Sequence, residues 1–200
     1  MIRLFATQLA LNRCPHCNVD KPTLAYCGQA ETADYTVTRR RLWRFYNCKG
    51  CGGVVTAWSY TADGDVGEVF PSEISVDQAI PEKAREYLNQ AINSLSSPSG
   101  AVMLAASAVD AMLKAKNLKE GTLYSRIDKA TKDHLITNDM ALWAHEVRLD
   151  ANDERHSDEN AAMPNTADGK RCVDFALALA QFMFVLPAKV QIGIAEAKVT

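Results

Sequence analysis

From Pro81 onward the apolar positions recur with the period of a helix; before about residue 70 they do not. Ala84, Tyr87, Leu88, Ala91, Ile92 and Leu95 follow the i, i+3, i+4, i+7 rule and form one apolar stripe. Pro81 sits near its start, where a missing N–H costs nothing, and Ser96-Ser97-Pro98-Ser99-Gly100 ends it. A second helix is predicted from Ala101 to about Asn117. It is apolar on nearly every face through Met112, which marks the buried centre of a bundle. A third helix is predicted from about Leu123 to His134. A fourth starts after Asn138, a good N-cap, and carries Leu142, Trp143 and Val147. A fifth runs from about Thr166 to Leu186 and stops near Pro187.

Upstream, Tyr35-Thr36-Val37-Thr38, Leu42 to Tyr46 and Val54 to Tyr60 are β-branched or aromatic and predict strands. Gly50, Gly52 and Gly53, and Asp63-Gly64-Asp65, supply turns. The expected class is therefore α+β: a small β-rich module over 1–72, a short connector, and an antiparallel bundle of about five helices over 78–200.

Composition adds little beyond a soluble globular class, but charge changes the picture. Residues 1–60 carry eight Lys/Arg against three Asp/Glu, a balance of +5, and residues 61–200 carry fourteen against twenty-one, a balance of −7. A basic front joined to an acidic rear implies two units with different partners. The first thirteen residues lack the pattern of a signal peptide. The most apolar run, Phe175 to Leu186, falls short of the roughly 20 residues a membrane span needs. The expectation is a cytoplasmic protein with no membrane segment, where paired cysteines imply metal or redox chemistry rather than disulfides.

Cys14-Pro15-His16-Cys17 and Cys48-Lys49-Gly50-Cys51 are two CxxC pairs. Two thiolates three positions apart in a tight turn chelate one ion, and two such turns complete a tetrahedron. The expected ligands of one structural Zn2+ are Cys14, Cys17, Cys48 and Cys51, which close the shell and leave no open position for catalysis. Redox chemistry at either pair explains less, because it needs no second pair. His16 is read as filling its turn, Cys27 as a free buried thiol rather than a substitute ligand, and Cys172 as core.

Arg39, Arg40, Arg41, Trp43 and Arg44 lead into the second pair. Arginines beside aromatic rings can grip phosphates and stack on bases, although zinc modules also bind proteins. In a strand, Arg39, Arg41, Trp43 and Phe45 share one side and Arg40, Leu42, Arg44 and Tyr46 the other. Further on, Arg148, Asn152 and His156 stand at i, i+4 and i+8 of the fourth helix. An arginine to hold phosphate and a histidine to move a proton is a minimal set for metal-independent RNA cleavage. Asp150, Asp153, Glu154, Asp158 and Glu159 make that stretch strongly acidic, and on residue chemistry alone an exposed polar helix end is favoured. His134 and His145 show no companions that suggest chemistry.

From about Ile80 to Val190 the chain resembles the helical domain-of-unknown-function family 4145, taken as a branch of the HEPN superfamily. The resemblance rests on Ile80-Pro81 followed by the Tyr87 to Leu95 helix, on the Ala-rich second helix ending in Ala111-Met112-Leu113, and on the Arg148…Asn152…His156 row. It implies a HEPN-like helical fold, a prokaryotic restriction or defence setting, bacterial or phage, and a homodimer formed through the helical domain. A zinc ribbon in front is common in such proteins. Active members are ribonucleases using an arginine and a histidine four to six residues apart. Here seven residues separate Arg148 from His156, and Ala151 stands where relatives often have glycine. Val109-Asp110-Ala111-Met112 stands where they often have an arginine and a glutamate. These departures favour a non-catalytic adaptor whose basic zinc module recognises nucleic acid or a partner protein. The alternative is a metal-independent endoribonuclease using Arg148 and His156, with Asn152 orienting the substrate.

Overall fold

The computed structural model describes residues 2–4, 7–72, 74–156 and 162–197; of residues 153–156 it describes the helical backbone alone. The chain divides into two compact units, Met1–Ile74 and Ser75–Thr200.

The front unit is an antiparallel sheet of β1 (Gln8–Leu9), β2 (Leu24–Thr32), β3 (Arg41–Cys48), β4 (Val54–Ser59) and β5 (Glu68–Phe70), each strand paired with its sequence neighbours. Alternation sets its two faces. Tyr46, Cys48, Val55 and Ala57 point into a core shared with Leu4, Leu9, Leu11, Cys14 and Leu24. Arg41, Trp43 and Phe45 take the other face, with Trp43 opposite Trp58 on β4. The strand expected at residues 35–38 is not there. Tyr35 is exposed, Val37 has φ 59°, and the Asp34 carboxylate accepts from the Thr36 hydroxyl and from the N–H groups of Thr38 and Arg39. A short acceptor that gathers three local donors competes successfully with a ladder. The pairing strand is instead β2, interrupted by a bulge between Tyr26 and Gly28.

The rear unit comprises α1 (Glu82–Asn93), α2 (Pro98–Ala115), α3 (Leu123–Lys132), α4 (Asn138–His156), α5 (Thr166–Ala180) and α6 (Leu186–Ala197). A π-helical turn, Gln181–Val185, joins the last two into one rod. Four helices differ at their ends from the sequence expectation. Pro98 opens α2 instead of closing α1, because proline's fixed φ suits a first helical position. α3 ends at Lys132, and His134 turns out of it with φ 55°. Thr137, not Asn138, caps α4: its hydroxyl accepts from the Met140 N–H at 3.2 Å. The last rod does not stop at Pro187. In the π turn the Leu186 N–H reaches back to the Gln181 carbonyl, and the wider turn passes the proline without breaking the rod.

α2 lies at the centre, packing on α1, α4 and α5. Its Ala101, Ala105, Ala106 and Ala108 are buried and admit close neighbours, and Met112 and Leu113 fill the remaining space with Leu88, Ile127 and Phe175. Each such large side chain contributes about 1.5–3 kcal/mol by leaving water. No residue of α6 is buried. The α5–α6 rod spans 32 residues and is long and apolar enough, by length and composition, to cross a membrane; its α5 half packs into the bundle core.

Candidate metal centre and basic surfaces

The two CxxC turns repeat one backbone pattern. In the first, the Cys14 carbonyl accepts from Asn18 N–H at 2.9 Å and the Cys14 N–H donates to Val19 at 3.1 Å. In the second, the Cys48 carbonyl accepts from Gly52 N–H at 2.8 Å and the Cys48 N–H donates to Gly53 at 2.9 Å. Both turns need a left-handed residue after the second cysteine, Asn18 (φ 56°) and Gly52 (φ 75°), residue types that tolerate it. The β2–β3 hairpin accounts for the long sequence gap between them.

The four sulfurs of Cys14, Cys17, Cys48 and Cys51 lie within 4.8 Å of one another, and those of Cys14 and Cys51 are 4.0 Å apart. A tetrahedral thiolate shell with metal–sulfur bonds of about 2.3 Å needs sulfurs about 3.8 Å apart. The cluster therefore fits a metal ion and is compatible with zinc. Burial pushes the Cys17 thiol up to about 12, aided by the Cys51 and Cys14 sulfurs and opposed by the Val19 N–H. Burial also acts to raise Cys48, but the N–H groups of Cys51 and Gly50 and the sulfurs of Cys14 and Cys51 outweigh it and bring Cys48 down to about 7. Cys48 is thus the thiolate most readily offered to a cation. His16 stays outside the cluster: its ring lies on Gly53, where a Cβ would come within 2.5 Å, and its Nε2 is 2.8 Å from the Val54 carbonyl. Cys27 departs from expectation, being exposed at the β2 bulge rather than buried. Cys172 is fully buried. Burial and then the neighbouring Asp150 carboxylate push its thiol up to about 12.

On the sheet face turned away from the front unit's core, aromatic rings gather around Trp58, itself 7 % exposed. The Arg41 guanidinium lies 4.2 Å over the Trp58 ring, and Trp43 stands 6.3 Å from Trp58 and 6.0 Å from Phe70. Tyr60 joins the edge of Trp58 at 5.1 Å. Arg39 and Arg40 are exposed just before β3. Arg44 is corrected: it is only 5 % exposed and turned to the core face, where it donates to the Leu4 carbonyl at 2.5 Å and pairs with Asp63 at 3.2 Å. It holds the front unit together and is withdrawn from the exposed arginine set.

In the rear unit, Arg148 and Asn152 line one cavity of about 570 Å³, with Lys83 and Tyr87 from α1, Asp110 and Lys114 from α2, and Tyr124 and Arg126 from α3. The α4 backbone continues to His156, whose side chain lies outside the described residues. Arg148 is 5.3 Å from the Tyr124 ring. Tyr124 in turn stacks on His145 at 4.6 Å, and His145 Nε2 is 3.1 Å from Asp128. Sequence reading left His145 without companions. The signal was a pair of helical spacings, Tyr124 with Asp128 and His145 with Arg148, which match only once α3 lies on α4.

These features define an α+β protein of two units, a four-cysteine cluster that could hold a metal ion ahead of a helical bundle. Residues 86–197 match the family described as Domain of unknown function (DUF4145), and the chain belongs to that family. No curated protein and no solved structure matches the chain.

Proposed function

We propose that the chain is a non-catalytic adaptor. A zinc ribbon, organised by one structural Zn2+ on Cys14, Cys17, Cys48 and Cys51, holds single-stranded nucleic acid on its open sheet face. A HEPN-like helical unit carries the ribbon and pairs with a second copy, in the cytoplasm of a bacterial or phage defence setting. The observation that supports this reading is the ring surface of exposed Phe70 and Tyr60 and half-buried Trp43, gathered around the buried Trp58 on which Arg41 rests, with exposed Arg39 and Arg40 alongside. Rings accept stacked bases of any sequence, and arginines neutralise the backbone. A closed thiolate shell gives the metal an architectural role and no substrate position.

Ribonuclease action is the second reading, favoured by Arg148 and Asn152 sharing a cavity wall. Binding and cleavage of a single-stranded RNA by the zinc-loaded chain separate the two. The adaptor reading expects binding that is lost in an Arg39→Gln/Arg40→Gln/Arg41→Gln variant, kept in His156→Ala, and free of product in both. Cleavage that leaves 2′,3′-cyclic phosphate ends and disappears in His156→Ala would make the protein an enzyme.

A further inference from the structure

The α5 half of the last rod packs into the bundle core. Past the π turn no residue of α6 is buried, and all except Ala188 are exposed. The exposed side chains are nevertheless apolar. Leu186 is 46 %, Val190 55 % and Ile194 46 % exposed. Between Leu186 and Ala197 the helix carries only two charges, Lys189 and Glu196.

Leu186, Val190, Gly193 and Ala197 stand at i, i+4, i+7 and i+11 and form one stripe. Its first half is large and its second half small. Two such stripes laid antiparallel complement each other. Leu186 meets the partner's Ala197, and Val190 meets the partner's Gly193, so every layer joins a large side chain to a small one. The space at Gly193 is open, because a Cβ there would meet nothing within 4 Å. A parallel pair would instead set Leu186 on Leu186 and Gly193 on Gly193, crowding one end and hollowing the other.

The charges agree with the same arrangement. Lys189 and Glu196 lie seven positions apart on one flank of the stripe, and Ile194 lies on the other. In an antiparallel pair like flanks meet. Each Lys189 then faces the partner's Glu196, and two-fold symmetry makes the contact twice. A parallel pair would bring Lys189 against Ile194. A bilayer is a poorer cover, since both charges would enter hydrocarbon alongside the stripe.

We propose that α6 docks antiparallel on the α6 of a second copy, with Val190 seated on Gly193 and Lys189 paired with Glu196 across the interface. The proposal rests on the pairing of helical units in the proposed function and gives that pairing its address. It is independent of what the sheet face of the front unit binds.

Sedimentation velocity of the full zinc-loaded chain over a concentration series tests it. The unaltered chain is expected to dimerise, and Val190→Asp to stay monomeric at concentrations where the unaltered chain is dimeric. Lys189→Glu and Glu196→Lys should each weaken dimerisation about tenfold, because one reversal opposes like charges at both cross-pairs. Val190, Lys189 and Glu196 are all exposed, so these variants leave the bundle core intact. Mixing the two single charge variants should restore association, since each charge then meets its opposite; an effect within one helix is not repaired by a second chain. A monomer at every concentration overturns the proposal, together with the pairing in the proposed function. A dimer indifferent to Val190→Asp and to both reversals overturns the proposal alone and puts the pairing elsewhere. Charge variants that mixing does not repair overturn the antiparallel arrangement. A chain that stays monomeric but floats with phosphatidylcholine–phosphatidylglycerol vesicles, while Val190→Asp does not, would make the cover a bilayer, and the proposal would fail.

Discussion

At the scale of single residues, the capacity of the candidate metal centre to take up zinc is governed by which thiols hold their protons. Cys48 sits near 7 and Cys17 near 12, so loading with zinc must displace protons, and more of them in acid. Zinc uptake at pH 6 should release about one more proton than at pH 8, because Cys48 is largely protonated at the lower pH and largely ionised at the higher. Proton release measured in weakly buffered solution checks this; equal release at both pH values would place Cys48 elsewhere. Gly53 is another local control. A methyl group there would meet the His16 ring at 2.5 Å. Gly53→Ala should cost the zinc-loaded front unit about 1–3 kcal/mol in urea unfolding, the range for forced overpacking. Thiol accessibility gives a third check. Cys27 is exposed and Cys172 buried, so a thiol reagent should modify Cys27 in the native zinc-loaded chain, and Cys27→Ser should abolish the fast phase. The cysteine quartet was legible in the sequence because each CxxC turn is a local device that needs only its own few residues. The fates of Arg44 and Cys27 were not, because they depend on which face of a strand meets the core and on where β2 bulges.

Among the elements, the helices lie where the apolar period is long, and the largest departures at their ends fall at two prolines. Pro98 and Pro187 both looked like stops; one opens α2 and the other follows a π turn inside a continuous rod. Proline forbids a hydrogen bond to the preceding turn, but a helix start or a π turn has already given that bond up. The displaced strand has a similar cause. Thr36, Val37 and Thr38 have the propensity for a strand, yet Asp34 offers their donors a nearer acceptor. At this scale α2 carries the rear unit. Met112→Ala should lower its stability by about 2–5 kcal/mol, the usual cost of emptying such a site, while zinc content stays unchanged, because Met112 belongs to the other unit's core. Thermal unfolding followed by circular dichroism, with metal analysis of the same sample, distinguishes the two effects.

For the whole molecule, two units with separate cores imply two separable responses. Chelation should unfold the sheet and spare the helices, seen as loss of tryptophan signal from Trp43 and Trp58 with the helical circular dichroism retained. The charge asymmetry of the sequence suggested two units, and of the arginine run Arg39 and Arg40 are exposed while Arg44 is buried. The sequence placed Trp43 beside the arginines within one strand, but not Trp58 and Phe70, which join it on the aromatic face only across paired strands. The central claim is that this face holds a nucleic-acid backbone, and the salt dependence of binding tests it most directly. Each phosphate neutralised on a single strand contributes about −0.7 to the slope of log affinity against log salt. Neutralising Arg39, Arg40 and Arg41 together should flatten the slope by about 2 units along with the loss of affinity. A variant whose affinity and slope match those of the unaltered chain would show that the arginine face is not where nucleic acid binds.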